Sequence, residues 1–401
     1  MNRKKIFVTG MGVVSALGNG VEEHHRALVN QRSGIGGMKY LDSVHCDLPV
    51  GEVQMSNSEI CEAIGIDNNE RFTRTALLGA LALKEALSSA GLINSPDKHI
   101  ALISGTTVGG MDKSEAYYKE FLNTDNNTCY INTQDCGTTT EFAIGCFPLF
   151  DMTTTISTAC SSAANAILFG ANLIRTGRYD IVVVGGSECI SKFHLNGFNS
   201  LMILDHEPCR PFDASRAGLN LGEGAGYLVL ESERSINSRK ASPLCELKGC
   251  GNACDAYHQT ASSPDGQGAY LSMCKALKDA GLTPQDIDYV NAHGTGTPNN
   301  DLSEGVALER VFGIGKVPPV SSTKCYTGHT TSASGAIEAI ISILALLNSF
   351  CPVNLNFCHR IDGLSFSPVT EMMEKSLRNV LSNSFGFGGN DTSVIFSKIQ
   401  L

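Results

Sequence analysis

The sequence predicts an α/β protein in which two similar halves each form a sheet with helices on both faces. Apolar strands alternate with helices of about ten residues or more along the 401 residues, as is typical of helix-covered sheets. Glycine occurs 41 times and charged residues make up only 17% of the chain, which fits the tight turns and close helix contacts of a compact α/β protein. Two such halves, stacked together, would form five layers, α/β/α/β/α.

Corresponding segments recur in the same order in both halves. Residues 5–9 form an apolar strand before a predicted turn at Gly10-Met11-Gly12, and residues 245–251 repeat this plan around Gly249-Cys250-Gly251. Further pairs are KEALSSAGL–ALISGT with KALKDAGL–YVNAHGT, residues 154–174 with 319–347, and IVVVGGSE–YLVLE with NSFGFGGND–TSVIF. We therefore predict an internal duplication with its join near the polar residues 232–243, giving two units, 1–238 and 239–401.

Two segments have a distinct composition. The polar stretch 112–141 lacks a steady period and is predicted to be an insertion on the first half. The apolar run 336–347 is interrupted by Glu338 and is shorter than a helix that spans a bilayer. We expect this run to form a buried helix.

Charge and cysteine content limit the partners and the compartment. The net charge of −10 gives no basic face for nucleic acid or anionic lipid, although we expect a local basic cluster at the active-site mouth. The 15 cysteines are spread along a chain that begins MNRKKIFVTG without an apolar signal run. Free thiols in the cytoplasm are therefore expected.

Cys160 is the candidate nucleophile. It lies in STACSSAANAI, between the β-type run 152–158 and a helical pattern, so its sulfur is predicted to lie at a helix N-terminus. The positive end of the helix dipole favours a thiolate, and small neighbouring residues leave room for a substrate. A buried, inert thiol is the alternative for any single cysteine. The motifs elsewhere in the chain must therefore decide whether Cys160 is a nucleophile.

Two histidines lie in matching loops. His293 follows the strand IDYV within NAHGTGTP, and His329 precedes the second long helix within STKCYTGHTTSASGAIEAI. Imidazoles in such loops act as hydrogen-bond donors or bases near neutral pH, although each would also suit a purely structural role. Lys324 and Glu338 flank His329 and are predicted to pair and to orient it, with a solvated ion pair as the alternative.

The glycine run NSFGFGGN, residues 383–390, is the third candidate element. Repeated glycines allow backbone amides to point into a site and form an oxyanion hole. Phe385 and Phe387 are predicted to gate it. A flexible surface turn is the alternative, but solvent exposure explains two aromatic residues poorly.

Two other kinds of site fit less well. At Gly10-Met11-Gly12 the third glycine of a dinucleotide site is replaced by Ser15, and no ribose-binding acid follows a second strand. Cys250, Cys254 and His258 have a spacing seen in metal sites, but the glycines at 249 and 251 and the lack of a fourth ligand argue against one. Neither a metal nor a permanently bound cofactor is expected.

Five segments in order resemble the β-ketoacyl synthase family, in particular the elongating type II enzymes that act on acyl carrier protein. They are TACSS around Cys160, PFDASRAGLNLGEGAG, AHGTGTP with His293, STKCYTGH with Lys324 and His329, and NSFGFGG. The resemblance spans nearly the whole chain. It implies the thiolase fold with duplicated halves, an acyltransferase activity, and substrates carried on the phosphopantetheine of acyl carrier protein.

The resemblance also implies a role for each residue. Cys160 would accept an acyl group from a thioester, and His293 and His329 would hold the carbonyl of a malonyl unit while loss of carbon dioxide generates an enolate. The amides of Cys160 and Phe387 would bind the oxyanion of acyl transfer, and Phe387 would gate the site. Lys324, Glu338 and Asp301 would support the histidines, and Thr295, Thr297, Phe385 and Val108 would contact the substrate or its pantetheine arm.

The chain departs from the family pattern in three places. Asn390-Asp391 replaces Thr-Asn after the glycine run, and residues 216–219 read Arg-Ala-Gly-Leu in place of Arg-Asp-Gly-Phe. Residues 112–146, which in the family help to shape the acyl pocket and the dimer surface, resemble ordinary members only weakly. The chain length of the substrate therefore stays open, as does the choice between fatty acid, polyene and polyketide synthesis.

Partners and alternative functions complete the hypothesis. In the family the strand next to the nucleophile, here residues 152–158, pairs across a two-fold axis, giving a homodimer or a heterodimer, and acidic acyl carrier protein docks on basic residues near the pocket mouth. A chain-length-factor-like subunit is disfavoured because such partners typically lose the nucleophile, which this chain keeps. A cysteine thioester hydrolase is the other alternative, but no orienting Asn or Asp signature for that chemistry stands out in this sequence. Nucleic acid and membrane are not expected as partners.

Overall fold

The computed structural model describes residues 4–95, 99–124 and 128–399. The strands are β1 Ile6–Ser15, β2 Gly18–Asn19, β3 Ile100–Gly105, β4 Phe150–Ile156, β5 Ile181–Glu188, β6 Gly224–Ser232, β7 Cys245–Cys254, β8 Tyr289–Asn291, β9 Val320–Ser321, β10 Phe350–Cys351, β11 Met373–Glu374, β12 Asn379–Gly386 and β13 Asn390–Ser397. The helices are α1 Val21–Val29, α2 Asn57–Ile64, α3 Arg74–Ser89, α4 Met111–Asn123, α5 Thr128–Ile131, α6 Cys136–Cys146, α7 Ser162–Thr176, α8 Lys192–Ser200, α9 Glu233–Arg239, α10 Gln267–Ala280, α11 Pro298–Phe312, α12 Lys324–Thr327 and α13 Ser334–Asn348.

The strand order is symmetric about the pair formed by β1 and β7. On one side β1 is followed by β6, β5, β3 and β4, and on the other side β7 is followed by β13, β12, β8 and β9. In each half the first two pairings are antiparallel and the last two are parallel. The two halves therefore repeat one topology, which confirms the predicted duplication.

Helices lie between the two halves of this sheet and cover their outer faces. α7 and α13 pack against each other and against strands of both halves, while α3 covers β1 and β6, and α10 covers β7 and β13. The largest apolar cluster is built from the buried faces of α7 and α13 and the strands around them. This arrangement gives the predicted five layers.

Glycines in β1 and β7 have a different role from the predicted one. Gly10-Met11-Gly12 and Gly249-Cys250-Gly251 lie inside continuous strands and do not form turns. A β-carbon on Gly12 would lie 2.0 Å from the carbonyl oxygen of Ala82 in α3, and Gly251 approaches the backbone of α10 in the same way. The predicted turns are wrong because these glycines allow a helix to lie directly on each strand.

The two segments that the sequence analysis distinguished by their composition form helices. The polar stretch 112–141 lies largely within α4 and α6, and α4 buries only Ser114, so it has no apolar stripe to produce a period. In the described part of the chain, one helical stretch, Thr331–Asn348, is long and apolar enough to cross a bilayer, but 89% of it is buried inside the protein. It is the predicted buried helix.

Candidate active site

The candidate residues meet where parallel strands of both halves end. Cys160 follows β4, His293 follows β8, Lys324 follows β9, and Phe387 follows β12. The carboxyl ends of such strands are the usual place for a site in α/β proteins, because the loops there converge. Each of these connections contributes at least one group to a common centre.

A tight turn between β4 and α7 presents Cys160. Ala159 has φ 53°, a left-handed conformation that non-glycine residues rarely adopt and that is common at functional sites. Ser162 fastens the turn, since its Oγ accepts from Thr158 N at 2.9 Å and donates to Ala159 O at 2.6 Å. The sulfur is thereby held just before the first turn of α7, as the sequence predicted.

His329 is the nearest base to the nucleophile. Its Nε2 lies 3.1 Å from Sγ of Cys160, and its Nδ1 lies 3.0 Å from Oγ of Ser334. Gly328, with φ +69°, turns the chain just before His329, and the backbone N–H of His329 donates to Asn220 O at 2.7 Å. The imidazole is thus fixed at both nitrogens.

His293 is fixed by a lysine. Nζ of Lys324 lies 3.2 Å from Nδ1 of His293, donates to the carbonyl oxygen of His293 at 2.6 Å, and pairs with Glu338. An ammonium group can only donate, so Nδ1 must accept, and the ring proton of His293 is on Nε2. This tautomer leaves a hydrogen-bond donor for a ligand.

The environment keeps both imidazoles neutral. Burial lowers the pKa of His293 and of His329 well below the usual value, and Lys324 lowers both further. Burial also raises the pKa of Glu338, an effect that its lysine partner opposes. The predicted Lys324–Glu338 pair is therefore buried in the core and is not solvated.

The protonation of Cys160 differs from the sequence expectation. Burial raises the pKa of its thiol to about 11, although Lys324 and the N–H of Phe387 both favour the thiolate. Removal of the sulfur from water outweighs the helix terminus. The resting group is a thiol beside a neutral imidazole.

Sequence reasoning missed Glu304, which is almost completely buried. Its carboxylate accepts from the backbone N–H of His293 at 2.9 Å, from that of Gly294 at 2.8 Å and from Nδ2 of Asn383 at 3.1 Å. Burial raises its pKa to about 6. The sequence offered one signal for this role, since Glu304 lies one helical turn after Asp301 and therefore on the same face of α11.

Asp301 contacts neither imidazole directly. It accepts from the backbone N–H of Phe212 at 2.8 Å and of Gly296 at 3.1 Å. It therefore acts on the loop that follows His293, and its support for the histidines stays a prediction.

The glycine run forms the tight connection between β12 and β13. Gly388 and Gly389 have φ of 82° and 75°, which glycine adopts without strain. The backbone N–H of Phe387 lowers the pKa of the Cys160 thiol by hydrogen bonding, as an oxyanion donor beside the sulfur would. The ring of Phe387 stacks on Phe198 at 5.8 Å between centroids, and Phe385 lies 5.6 Å from the His293 ring.

A cavity of about 300 Å³ leads to these groups. Thr295 and Thr297 line it, with their hydroxyl oxygens 2.8 Å apart. Val108 lies outside its lining, so its predicted contact with substrate is not supported by this cavity. The cavity lining also contains the residues Cys160, His293, His329, Phe385 and Phe387.

The lining carries no lysine or arginine among the described residues, so the basic cluster expected at the mouth does not lie in the cavity wall.

Across the described residues, no group of three or more His, Cys, Asp or Glu side chains is arranged to hold a metal ion. Cys254 and His258 lie at the end of β7 and in the loop after it, where His258 lines the cavity.

The fold and this cysteine–histidine–histidine site define a condensing acyltransferase of the thiolase fold. Family models for the N-terminal and the C-terminal domain of beta-ketoacyl synthase match residues 3–235 and 244–358. The chain belongs to the β-ketoacyl synthase family.

Individual relatives cover the whole chain. A 3-oxoacyl-[acyl-carrier-protein] synthase 2 of Vibrio harveyi is 32% identical over 418 residues, with both chains fully covered. The ishigamide ketosynthase/chain length factor structure is 29% identical, with a TM-score of 0.93 and 99% and 100% of the two chains covered. A ketosynthase in complex with its chain length factor from Xenorhabdus doucetiae is 29% identical, with a TM-score of 0.86 and 99% and 98% covered.

Proposed function

We propose that the protein is a 3-oxoacyl carrier-protein synthase that joins an acyl group on Cys160 to a malonyl unit with loss of carbon dioxide. The observation that carries this is the contact of Cys160 with His329 beside a second histidine whose free nitrogen is a donor. A cysteine with one histidine suits hydrolysis or simple transfer. Two neutral imidazole donors suit an enolate, because they stabilise developing negative charge on a carbonyl oxygen.

Acyl transfer comes first. The thiol proton of Cys160 passes to His329 as the sulfur attacks the acyl thioester, and the departing pantetheine thiolate takes that proton. The amides of Cys160 and Phe387 hold the oxyanion. The product is an acyl-cysteine, which is stable enough to wait and reactive enough to be attacked.

Condensation follows in the same cavity. Once Cys160 is acylated, His329 takes the tautomer with its ring proton on Nε2, in which Nδ1 accepts from Ser334 Oγ. The malonyl thioester oxygen then accepts hydrogen bonds from Nε2 of His293 and of His329, and the carbon–carbon bond to the carboxylate breaks to release carbon dioxide. The enolate carbon attacks the acyl carbon, and the Cys160 thiolate leaves. Lys324, Glu338 and Asp301 support the two histidines, and Thr295 and Thr297 hold the pantetheine arm.

The substrates are carried by acyl carrier protein, as the names of the curated relatives support, and the proposed reaction needs no permanently bound cofactor. A dimer through β4 is part of the proposal, because among the strands that the structure describes β4 pairs with β3 alone, at the edge of the sheet. The two solved structures that name a chain length factor favour a heterodimer. The symmetric strand order supports units 1–238 and 239–401, and the free thiols of the described cysteines support the cytoplasm as the proposed compartment.

Two rival functions differ in product. A chain-length-factor-like partner would form no acyl adduct, and the retained Cys160 with its histidines argues against it. A thioester hydrolase would release free acid without a new carbon–carbon bond. The apolar wall formed by Phe198, Ile203 and Leu219 excludes water from the thioester and favours condensation.

Intact-mass spectrometry tests the proposal. The protein is incubated with acyl carrier proteins of several chain lengths, with and without malonyl carrier protein, beside Cys160→Ala and the surface control Cys46→Ala. We expect an acyl adduct on the wild type and on Cys46→Ala, none on Cys160→Ala, and a 3-oxoacyl product two carbons longer. Free acid alone would indicate a hydrolase, and no adduct with any donor, alone or beside a chain length factor, would overturn the catalytic role.

A further inference from the structure

A cluster of neutral polar side chains joins the helix of the nucleophile to the glycine turn. Oδ1 of Asn390 accepts from Ser161 Oγ at 2.9 Å, from Asn165 Nδ2 at 2.7 Å and from Asn252 Nδ2 at 2.9 Å. Asn390 begins β13 directly after the turn, Ser161 follows Cys160, and Asn252 lies in β7. One amide oxygen therefore connects elements of both halves.

Further hydrogen bonds make the cluster rigid. Nδ2 of Asn165 also donates to Thr158 Oγ1 at 2.9 Å. Its Oδ1 accepts from Thr392 Oγ1 at 2.9 Å and from Asn252 Nδ2 at 3.1 Å. Such a connected network holds its members in one arrangement, because each lost bond leaves a partly buried polar group without a partner.

This network lies beside the oxyanion donor. A β-carbon on Gly386 would be 2.8 Å from the carbonyl oxygen of Thr158, so the end of β12 rests directly on the loop of the nucleophile. The backbone N–H of Phe387, which lowers the pKa of the Cys160 thiol by hydrogen bonding, lies between that contact and Asn390. The turn is thus fastened to the nucleophile loop on both sides of the donor.

We propose that Asn390 is a positioning residue for acyl transfer, which holds the Phe387 N–H over Cys160 through Ser161 and Asn165. The inference rests on the proposed function and goes beyond it, since Asn390 touches neither substrate nor sulfur. Asparagine is suited to this position because its oxygen reaches one bond further from the backbone than a threonine hydroxyl. That reach brings it to α7 and β7 together.

Acyl transfer and decarboxylation depend on different hydrogen-bond donors, so the positioning role of Asn390 can be tested separately. Acyl transfer uses the amides of Phe387 and Cys160, while loss of carbon dioxide from a malonyl thioester uses His293 and His329. A displaced turn therefore slows the first step alone. A general loss of structure would slow both.

The experiment compares Asn390→Ala with Asn390→Asp and Asn379→Ala. Asn379 is a matched control at the other end of the same hairpin, where it donates to Asp286 O at 2.8 Å and accepts from Ser397 Oγ at 2.6 Å. Single-turnover acylation is followed by intact mass with the acyl carrier protein that acylates the wild type fastest. Release of carbon dioxide from malonyl carrier protein is measured on the same variants.

We expect Asn390→Ala to slow acylation by about tenfold to a hundredfold, the loss typical of a displaced oxyanion donor. Release of carbon dioxide should stay within about twofold of the wild type. Asn390→Asp keeps an acceptor oxygen in place and should recover most of the acylation rate, and Asn379→Ala should match the wild type. Ser161→Ala, which removes one donor of the network, should slow acylation less than Asn390→Ala and serves as the second variant if Asn390→Ala does not fold.

Equal slowing of both steps, or the same defect in Asn379→Ala, would overturn the proposal and leave Asn390 a structural role only. Unchanged acylation in Asn390→Ala would overturn it as well. Absence of any adduct on the wild type would instead overturn the proposed function, and this inference with it. The two failures are therefore distinguishable.

Discussion

The ammonium nitrogen of Lys324 lies 3.2 Å from Nδ1 of His293 while it pairs with the carboxylate of Glu338. The lysine thus does two things, since it neutralises a buried carboxylate and selects the tautomer of the imidazole. Its removal should have two separable effects.

Lys324→Met should lower the free energy of unfolding by about 3–5 kcal/mol, because it leaves Glu338 as a buried charge without a partner. The double variant Lys324→Met/Glu338→Leu should regain most of that stability in urea unfolding. It should not regain the release of carbon dioxide from malonyl carrier protein, since Nδ1 of His293 still lacks its donor. Recovery of both properties would show that the lysine matters only through charge.

Glu304→Gln should lower the rate of carbon dioxide release by about tenfold to a hundredfold, since an amide offers one acceptor oxygen where three N–H groups converge. The pKa of Glu304 is raised to about 6, so its carboxylate is intact above pH 6 and protonated below. Wild-type activity should therefore fall as the pH drops through about 6. This loss of activity at low pH, the acid limb of the pH–rate profile, should be absent in Glu304→Gln.

The matched control is Glu309→Gln on the same helix, where Glu309 accepts from the backbone N–H of Ser365 at 2.6 Å, away from the site. It should keep both the wild-type rate and the acid limb. An unchanged acid limb in Glu304→Gln would assign that titration to another group.

Phe198→Ala should raise the hydrolysis of the acyl-cysteine roughly tenfold, because it removes the ring that stacks on Phe387 and admits water beside the thioester. Free acid released per acyl adduct gives the rate. Phe193→Ala changes an aromatic residue of the same helix that is 52% exposed and should behave as the wild type. Equal hydrolysis in both variants would argue against a gate at Phe387.

Gly12→Ala should destabilise the protein by about 3 kcal/mol or more, because the new β-carbon would lie 2.0 Å from Ala82 O in α3 and strand and helix must separate. Gly37→Ala is the control, since nothing lies within 4 Å of its β-carbon position. Thermal unfolding of the two variants should differ by several degrees or more. Equal midpoints would contradict the close contact of α3 with β1.

The sequence by itself predicted which residues meet at the candidate site and determined how the chain repeats. Cys160 and His293 lie in short loops after apolar strands, Lys324 begins the short helix α12 after β9, and His329 follows that helix. The strand, turn and helix signals that predict these positions are local in the sequence. The buried helix α13 was predicted from its apolar composition for the same reason. Such features depend on residues that are close in the sequence, within about one or two helical turns.

Only the tertiary structure decided how those residues behave. Burial by distant elements raises the pKa of Cys160 to about 11, against the thiolate expected from its helix terminus. The glycines of β1 were interpreted as a turn because their partner helix lies about 70 residues further along the chain. Glu304 and the Asn390 cluster were missed because their contacts join segments that are remote in sequence, and the desolvation and hydrogen bonding that define them exist only once the two halves have packed together.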